Sequence, residues 1–139
     1  MSEELPALVA ARNSWRCVQA RDKQGWLDLM ADDICIEDPI GVAPTNPDGK
    51  GVRGKAAVSE FYDTNMASST IEIETHESYA ADNDKNESAH LMTLRTTLSN
   101  GMKVNVRGIF TYRIDDEGKI TNLRGFWSLA GSEFIPPAS

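Results

Sequence analysis

Over about Leu5–Ala31, and again from Lys55, apolar residues recur mostly at helical spacing; around Ile34–Ile40 and from Ile71 onward they alternate. The first part predicts helices. Leu5, Leu8, Val9, Trp15 and Val18 place an amphipathic helix over about Leu5–Ala20, and Trp26, Leu27, Leu29 and Met30 a shorter one over Lys23–Ala31. The stretch DDICIEDPIG, residues 32–41, reads as a strand. Residues 42–54, rich in Pro and Gly, form a loop or long hairpin tip. KAAVSEFYDTNMA, from Lys55, is a third helix with Ala57, Phe61 and Tyr62 on or near its buried side.

The second part predicts a run of strands. Ile71, Ile73 and Thr75 alternate with Glu72, Glu74 and His76, and Met92, Leu94 and Thr96 with Thr93, Arg95 and Thr97. The acidic stretch at 81–87 makes a turn between them. Asn100-Gly101 is a hairpin signal, and from Met102 to Ile114 a longer strand follows. Asp115–Gly118 turns the chain again, and Leu123, Trp127 and Leu129 share one face of a final strand. The tail around Phe134-Ile135-Pro136 gives no clear element.

Helices first and antiparallel strands after make an α+β arrangement, here one domain over residues 1–139. A sheet of about four to six long strands curls strongly. Three helices on its concave side leave a cone with a hydrophobic cavity, a natural small-molecule site. The last strand is apolar on both faces, with Ile120 and Phe126 on the outer one, and Ile109 adds to that outer face. An isologous homodimer through the sheets would cover them.

Charge narrows the partners. Fourteen basic against 21 acidic residues give a net charge of −7, which speaks against nucleic acid and against an anionic membrane surface. No apolar run approaches the roughly 18 residues of a membrane span. The start, MSEELPALVAARNSW, lacks the basic and apolar regions of a signal peptide. Cys17 and Cys35 make no C-x-x-C pair, which fits reduced thiols in a cytoplasmic protein.

The candidate chemistry centres on Asp38. It falls on the face of Ile34, Ile36 and Ile40, so burial should raise its proton affinity and suit it to act as a general base. The alternative is a strand-ending turn, since Asp before Pro often bonds nearby backbone amides. His76 lies on the charged face of its strand; His90, in phase with Met92 and Leu94, is either a satisfied core histidine or a second acid/base group. Trp15, Phe61, Tyr62, Met92, Phe110, Tyr112 and Trp127 take inward or near-inward positions, as core or as cavity wall. No phosphate loop, dinucleotide fingerprint, nucleophile elbow or metal cluster is present, so no cofactor and no metal are expected.

MADDICIEDPIG (residues 30–41), GKAAVSEFYDTN (54–65) and GKITNLRGFW (118–127) resemble the steroid delta-isomerase (ketosteroid isomerase) group of the SnoaL-like, nuclear transport factor 2-like superfamily. The resemblance implies the cone fold, a steroid or similar lipid as ligand, and Asp38 as the base that moves a proton between ring carbons. Ketosteroid isomerase is a well-known case of tuned carboxylates, so that mechanism comes with the family and not from this sequence. The resemblance also places a pocket tyrosine at Tyr62 and a cavity aromatic at Trp127. The family's two oxyanion donors, a Tyr and a protonated Asp, fall on Ser14 and Phe110, so both are replaced. Trp15, Tyr62, Tyr112 and Trp127 are the candidates to stand in. A binding protein without turnover is the other reading this leaves.

Overall fold

A computed structural model describes residues 5–81, 83 and 86–137. Helix α1, Pro6–Gln19, begins with Pro6 in its first turn, where a missing N–H costs nothing. Its buried stripe is Ala7, Ala10, Ala11, Ser14, Trp15 and Cys17. Helix α2, Lys23–Asp28, is capped by Asp22, whose carboxylate accepts from the Gly25 amide at 2.9 Å. It ends three residues short of the expected Ala31, because Met30 and Ala31 belong to strand β1, Met30–Glu37. Pairing wins over helical spacing there. Met30 sits opposite Ile120, and the Ile120 amide donates to the Leu29 carbonyl at 2.8 Å.

A two-residue strand β2, Val52–Arg53, interrupts the expected loop and leads into α3, Lys55–Asn65. The long strands follow as β3 (Thr70–Ala80), β4 (Glu87–Thr97), β5 (Lys103–Ile114) and β6 (Ile120–Phe126), and the tail forms β7 (Glu133–Ile135). Part of the acidic turn expected at 81–87 lies outside the described residues. The strands form one sheet in the order β2-β1-β6-β5-β4-β3, with β7 on the end of β5 that β6 leaves free. The sheet is mixed, not antiparallel throughout: β1 runs parallel to β6. The sequence distance between them supplies the long crossover that a parallel pair needs. Three helices and a curled, unclosed sheet make the expected α+β cone. No described helix is long and apolar enough to cross a membrane.

Two irregularities break the period of two. One falls between Thr75 and Glu77 against β4. The other sets Ile114 opposite Ile120 but Arg113 opposite Asn122, leaving Thr121 as a bulge. The bulge turns Ile120 inward, where it is 1% exposed, instead of onto the outer face with Phe126. Ile109 and Phe126 are the neighbouring exposed apolar pair on that face.

His90 ties three elements together. Ser88 gives its one proton to the Ala7 carbonyl of α1 at 3.2 Å, so its oxygen accepts from His90 Nε2–H at 2.8 Å. Nδ1 then accepts from Ser78 of β3 at 2.7 Å. The ring is neutral, and burial pulls its pKa from 6.5 down to about 4. The unfolded chain therefore takes up this proton first as the pH falls. His90 contributes stability that is complete above 6.5 and is lost by about pH 4, on the order of 3 kcal/mol. Thermal melts of wild type and His90→Gln across this range should show a difference that shrinks on acidification. A constant difference would contradict a neutral buried imidazole.

Candidate functional site

The concave side of the sheet and the three helices enclose a cavity of about 400 Å³, within the usual size of small-molecule sites, about 300–1,000 Å³. Its walls are mostly apolar. Met92 and Leu94 of β4, Val104, Val106 and Phe110 of β5, Phe61 of α3 and Met66 just past its end supply much of them. Trp15 of α1 and Trp26 of α2 close the helical side, and Trp127 enters from just past β6. A smaller hollow of about 290 Å³ holds Glu37, Glu87, Arg113 and Arg124. Its charges are already matched in part, Arg124 Nε to Glu37 at 3.2 Å, and no apolar wall shapes it for a ligand.

Asp38 lines the large cavity together with Ile36, two residues before it on the same face. Strand β1 ends at Glu37, and the following backbone is fixed from three directions. Thr45 Oγ1 donates to the Asp38 carbonyl at 2.6 Å, the Ile40 amide to the Gly125 carbonyl at 3.0 Å, and Asn46 Nδ2 to the Pro39 carbonyl at 3.0 Å. Asn46, 1% exposed, also accepts from the Gly51 amide at 2.9 Å and so holds the whole loop. The carboxylate itself receives one hydrogen bond among the described residues, from Trp127 Nε1 to Oδ1 at 2.5 Å. Burial pushes its pKa up, and the Trp127 bond pulls it partly back. Part of the Asp38 surface faces the cavity void, but apolar walls surround it, so desolvation outweighs the exposed fraction.

Tyr112, 4% exposed, lines the same cavity. Its hydroxyl accepts from Trp15 Nε1 at 2.9 Å, and Ser14 lines the cavity with it. Ser14 in turn accepts from Trp26 Nε1 at 3.1 Å. Burial raises the Tyr112 pKa above that of a free phenol, and the Asp38 charge pushes it the same way, so the hydroxyl keeps its proton.

Seven of the nine positions singled out from sequence line the cavity: Asp38, Trp15, Phe61, Met92, Phe110, Tyr112 and Trp127. Tyr62 and His90 do not. Successive helical residues point about 100° apart, so Phe61 takes the cavity side while Tyr62 packs on Trp26, ring centres 5.8 Å apart. His90 faces inward, but Trp15 stands edge-on over it at 4.7 Å. It braces Trp15 and Tyr112 from behind and is not among the side chains that line the cavity. Trp26, Asn46 and Gly125 also shape the site and were not among the expected residues; of these, Gly125, inside RGFW, carried a sequence signal. Ser14, where the resemblance puts a replaced donor, lines it too. No group of three or more metal-ligating side chains occurs among the described residues.

Gly125 lies directly under the carboxylate. A Cβ there would stand 2.6 Å from Asp38 Oδ1 and 2.9 Å from Trp127 Nε1. Gly125→Ala should therefore displace Asp38 or Trp127 and cost about 1–3 kcal/mol, the usual range for overpacking. Thermal melts measure the loss, and the Trp127 indole N–H resonance reports the bond. A variant with wild-type stability and an unmoved indole signal would contradict the close approach.

The chain matches the model of the SnoaL-like domain over residues 11–123. Among solved structures it is similar to the Δ5-3-ketosteroid isomerase of a Mycobacterium species, with 51% identity, a TM-score of 0.92, and coverage of 95% of this chain and 100% of that one. It is similar to RV0760c of Mycobacterium tuberculosis, solved in complex with estradiol-17β-hemisuccinate, with 47% identity, a TM-score of 0.90 and coverage of 94% and 100%. A computationally designed 17-OHP binder also matches, with 45% identity, a TM-score of 0.91 and coverage of 94% and 99%. The chain belongs to the SnoaL-like domain family and is a steroid-isomerase-like member of it.

Proposed function

We propose that the cavity holds a steroid or similar flat lipid and that Asp38 moves a proton between two of its carbons. The observation that carries this reading is one carboxylate with raised proton affinity, held by a single indole bond on the wall of an apolar cavity of about 400 Å³. In the proposed reaction the Asp38 carboxylate takes a proton from the carbon next to a ketone. The C–H electron pair becomes an enolate, and Asp38 becomes a carboxylic acid. The same acid then returns the proton to a different carbon, the double bond shifts, and the carboxylate is restored. Nothing is consumed, so the reaction is an isomerisation and calls for no cofactor. The neighbouring ketosteroid isomerase and the steroid-bound complex support this class of ligand.

Binding without turnover is the second reading. It is favoured by Ser14 and Phe110, which stand where the family has its two oxyanion donors. Losing one preorganised donor costs about 10² to 10³ in rate. A cytoplasmic location belongs to the same proposal and is supported by the free, buried thiols of Cys17 and Cys35.

Asp38→Asn separates the two readings. The neutral amide keeps an acceptor for Trp127 and removes a charge whose burial is costly. Because the folded-state pKa of Asp38 is raised, the ionised form destabilises the fold above the ordinary carboxylate range. The variant should melt higher than wild type at neutral pH, and the gain should fade on acidification toward about pH 4. Turnover of a 5-ene-3-ketosteroid, followed by absorbance of the conjugated product, should fall by about 10² or more. Unchanged turnover would remove the general-base role; wild-type binding with no turnover would select the binding protein.

The homodimer is part of the same proposal, supported by the exposed pair Ile109 and Phe126 on the outer sheet face. Light scattering at micromolar concentration should give twice the chain mass for wild type and the single-chain mass for Phe126→Asp. A monomeric wild type would contradict it.

A further inference from the structure

Three indoles settle the direction of the hydrogen bonds around the cavity, because an indole N–H only donates. Trp26 donates to Ser14 at 3.1 Å, so the Ser14 oxygen is an acceptor there. Trp15 donates to Tyr112 at 2.9 Å. The Tyr112 oxygen thus receives the Trp15 bond, and no hydrogen bond given by its own proton falls within bonding geometry among the described residues. That proton is left for whatever occupies the cavity that Tyr112 lines. Incoming bonds on an oxygen polarise its O–H and strengthen it as a donor.

The other polar side chains on the cavity wall are committed or remote. Trp127 gives its N–H to Asp38, Thr45 its proton to the Asp38 carbonyl, and Asn65 a proton to the Phe61 carbonyl at 3.2 Å. Thr96 lies opposite Val104, at the other end of β5 from Tyr112. Phe110 offers no donor, and Tyr62 is outside the cavity. Tyr112 is also well placed relative to Asp38. Gly125, which carries the carboxylate above it, is opposite Phe110, and Tyr112 is its diagonal neighbour on the same face, about 7–8 Å away. Both groups line one cavity, and the Asp38 charge acts on the Tyr112 hydroxyl across it.

We infer that Tyr112, oriented by Trp15, is the hydrogen-bond donor for a carbonyl, enolate or phenolic oxygen of the bound ligand, in place of the two donors absent at Ser14 and Phe110. This rests on the steroid-like ligand proposed above and adds which end of it is read. Tyr112 is the group that touches the ligand oxygen; Trp15 is a positioning residue.

The test uses the full chain and two probes, estradiol and the same skeleton without its phenolic hydroxyl, each titrated by calorimetry. Wild type should prefer the phenol about 10-fold or more. Tyr112→Phe, which keeps the ring, should lose that preference while binding the deoxy skeleton as wild type does. Trp15→Phe keeps the hydroxyl but removes its incoming bond; it should shrink the preference and flatten the dependence of affinity on acidity across a series of substituted naphthols. Trp15→Phe carries the test if Tyr112→Phe fails to fold. A preference retained in Tyr112→Phe overturns the inference, and so does an equal loss for both probes, which marks a packing role only. Wild type that binds neither probe overturns the steroid cavity itself, a different outcome from either of these.

Discussion

The bond from Trp127 Nε1–H to Asp38 is the contact on which the arrangement of the site depends. A carboxylate on an apolar wall is costly: the effective penalty for removing such an ion from water is several kcal/mol, while a hydrogen bond to a charged group returns about 1.5–3 kcal/mol. Desolvation wins, and the proton affinity of Asp38 rises. Several features of the sheet exist around this compromise. Gly125 has no side chain because the carboxylate and the indole occupy its space. Gly108 similarly lets the Phe126 carbonyl pass close to β5, where a Cβ would stand 2.5 Å from it. Asn46, Thr45 and the Gly125 carbonyl fix the backbone from which Asp38 projects.

All three tryptophans of the chain act as donors toward one cavity. Each combines a large apolar face with a single N–H whose direction cannot be reversed. Trp127 restrains the ionised form of Asp38, whereas Trp15 and Trp26 organise the neutral hydroxyls of Tyr112 and Ser14. His90, neutral between two serines, supports Trp15 and Tyr112 edge-on at 4.7 and 5.6 Å. A charged imidazole there would alter the field on both, so its low pKa, about 4, keeps the rear wall electrically quiet at neutral pH.

The helices, the order of strands and the place of Asp38 were legible because each rests on a local regularity. Helical spacing gave α1 and α3, alternation gave β3 to β5, and the isoleucines of β1 put Asp38 on the inner face. What escaped depends on partners distant in sequence. Met30 leaves its helix because Ile120 pairs with it. Ile120 turns inward because of a one-residue bulge that no periodicity announces. The parallel pairing of β1 with β6 is a matter of topology, and alternation reads the same in either direction. Tyr62 and His90 both lie on inward faces, as expected. Whether an inward side chain meets a ligand or another side chain is decided by what stands in front of it, Trp26 in one case and Trp15 in the other.

The same distinction explains how the cone can stay while its chemistry changes. The apolar wall depends on side-chain volume, so Phe110 fits there whether or not a donor once belonged at that place. The carboxylate depends on one indole and one glycine, which are both present. Polarising a ligand oxygen needs only a donor with a fixed direction at the correct distance from the base, and a fold supplies many such positions on one inner face. A small residue at Ser14 leaves room for the Trp26 N–H, which it accepts. With Ser14 on α1 and Tyr112 on β5 lining the cavity, the donor proposed for the ligand oxygen lies on the sheet, in the same cavity as Asp38.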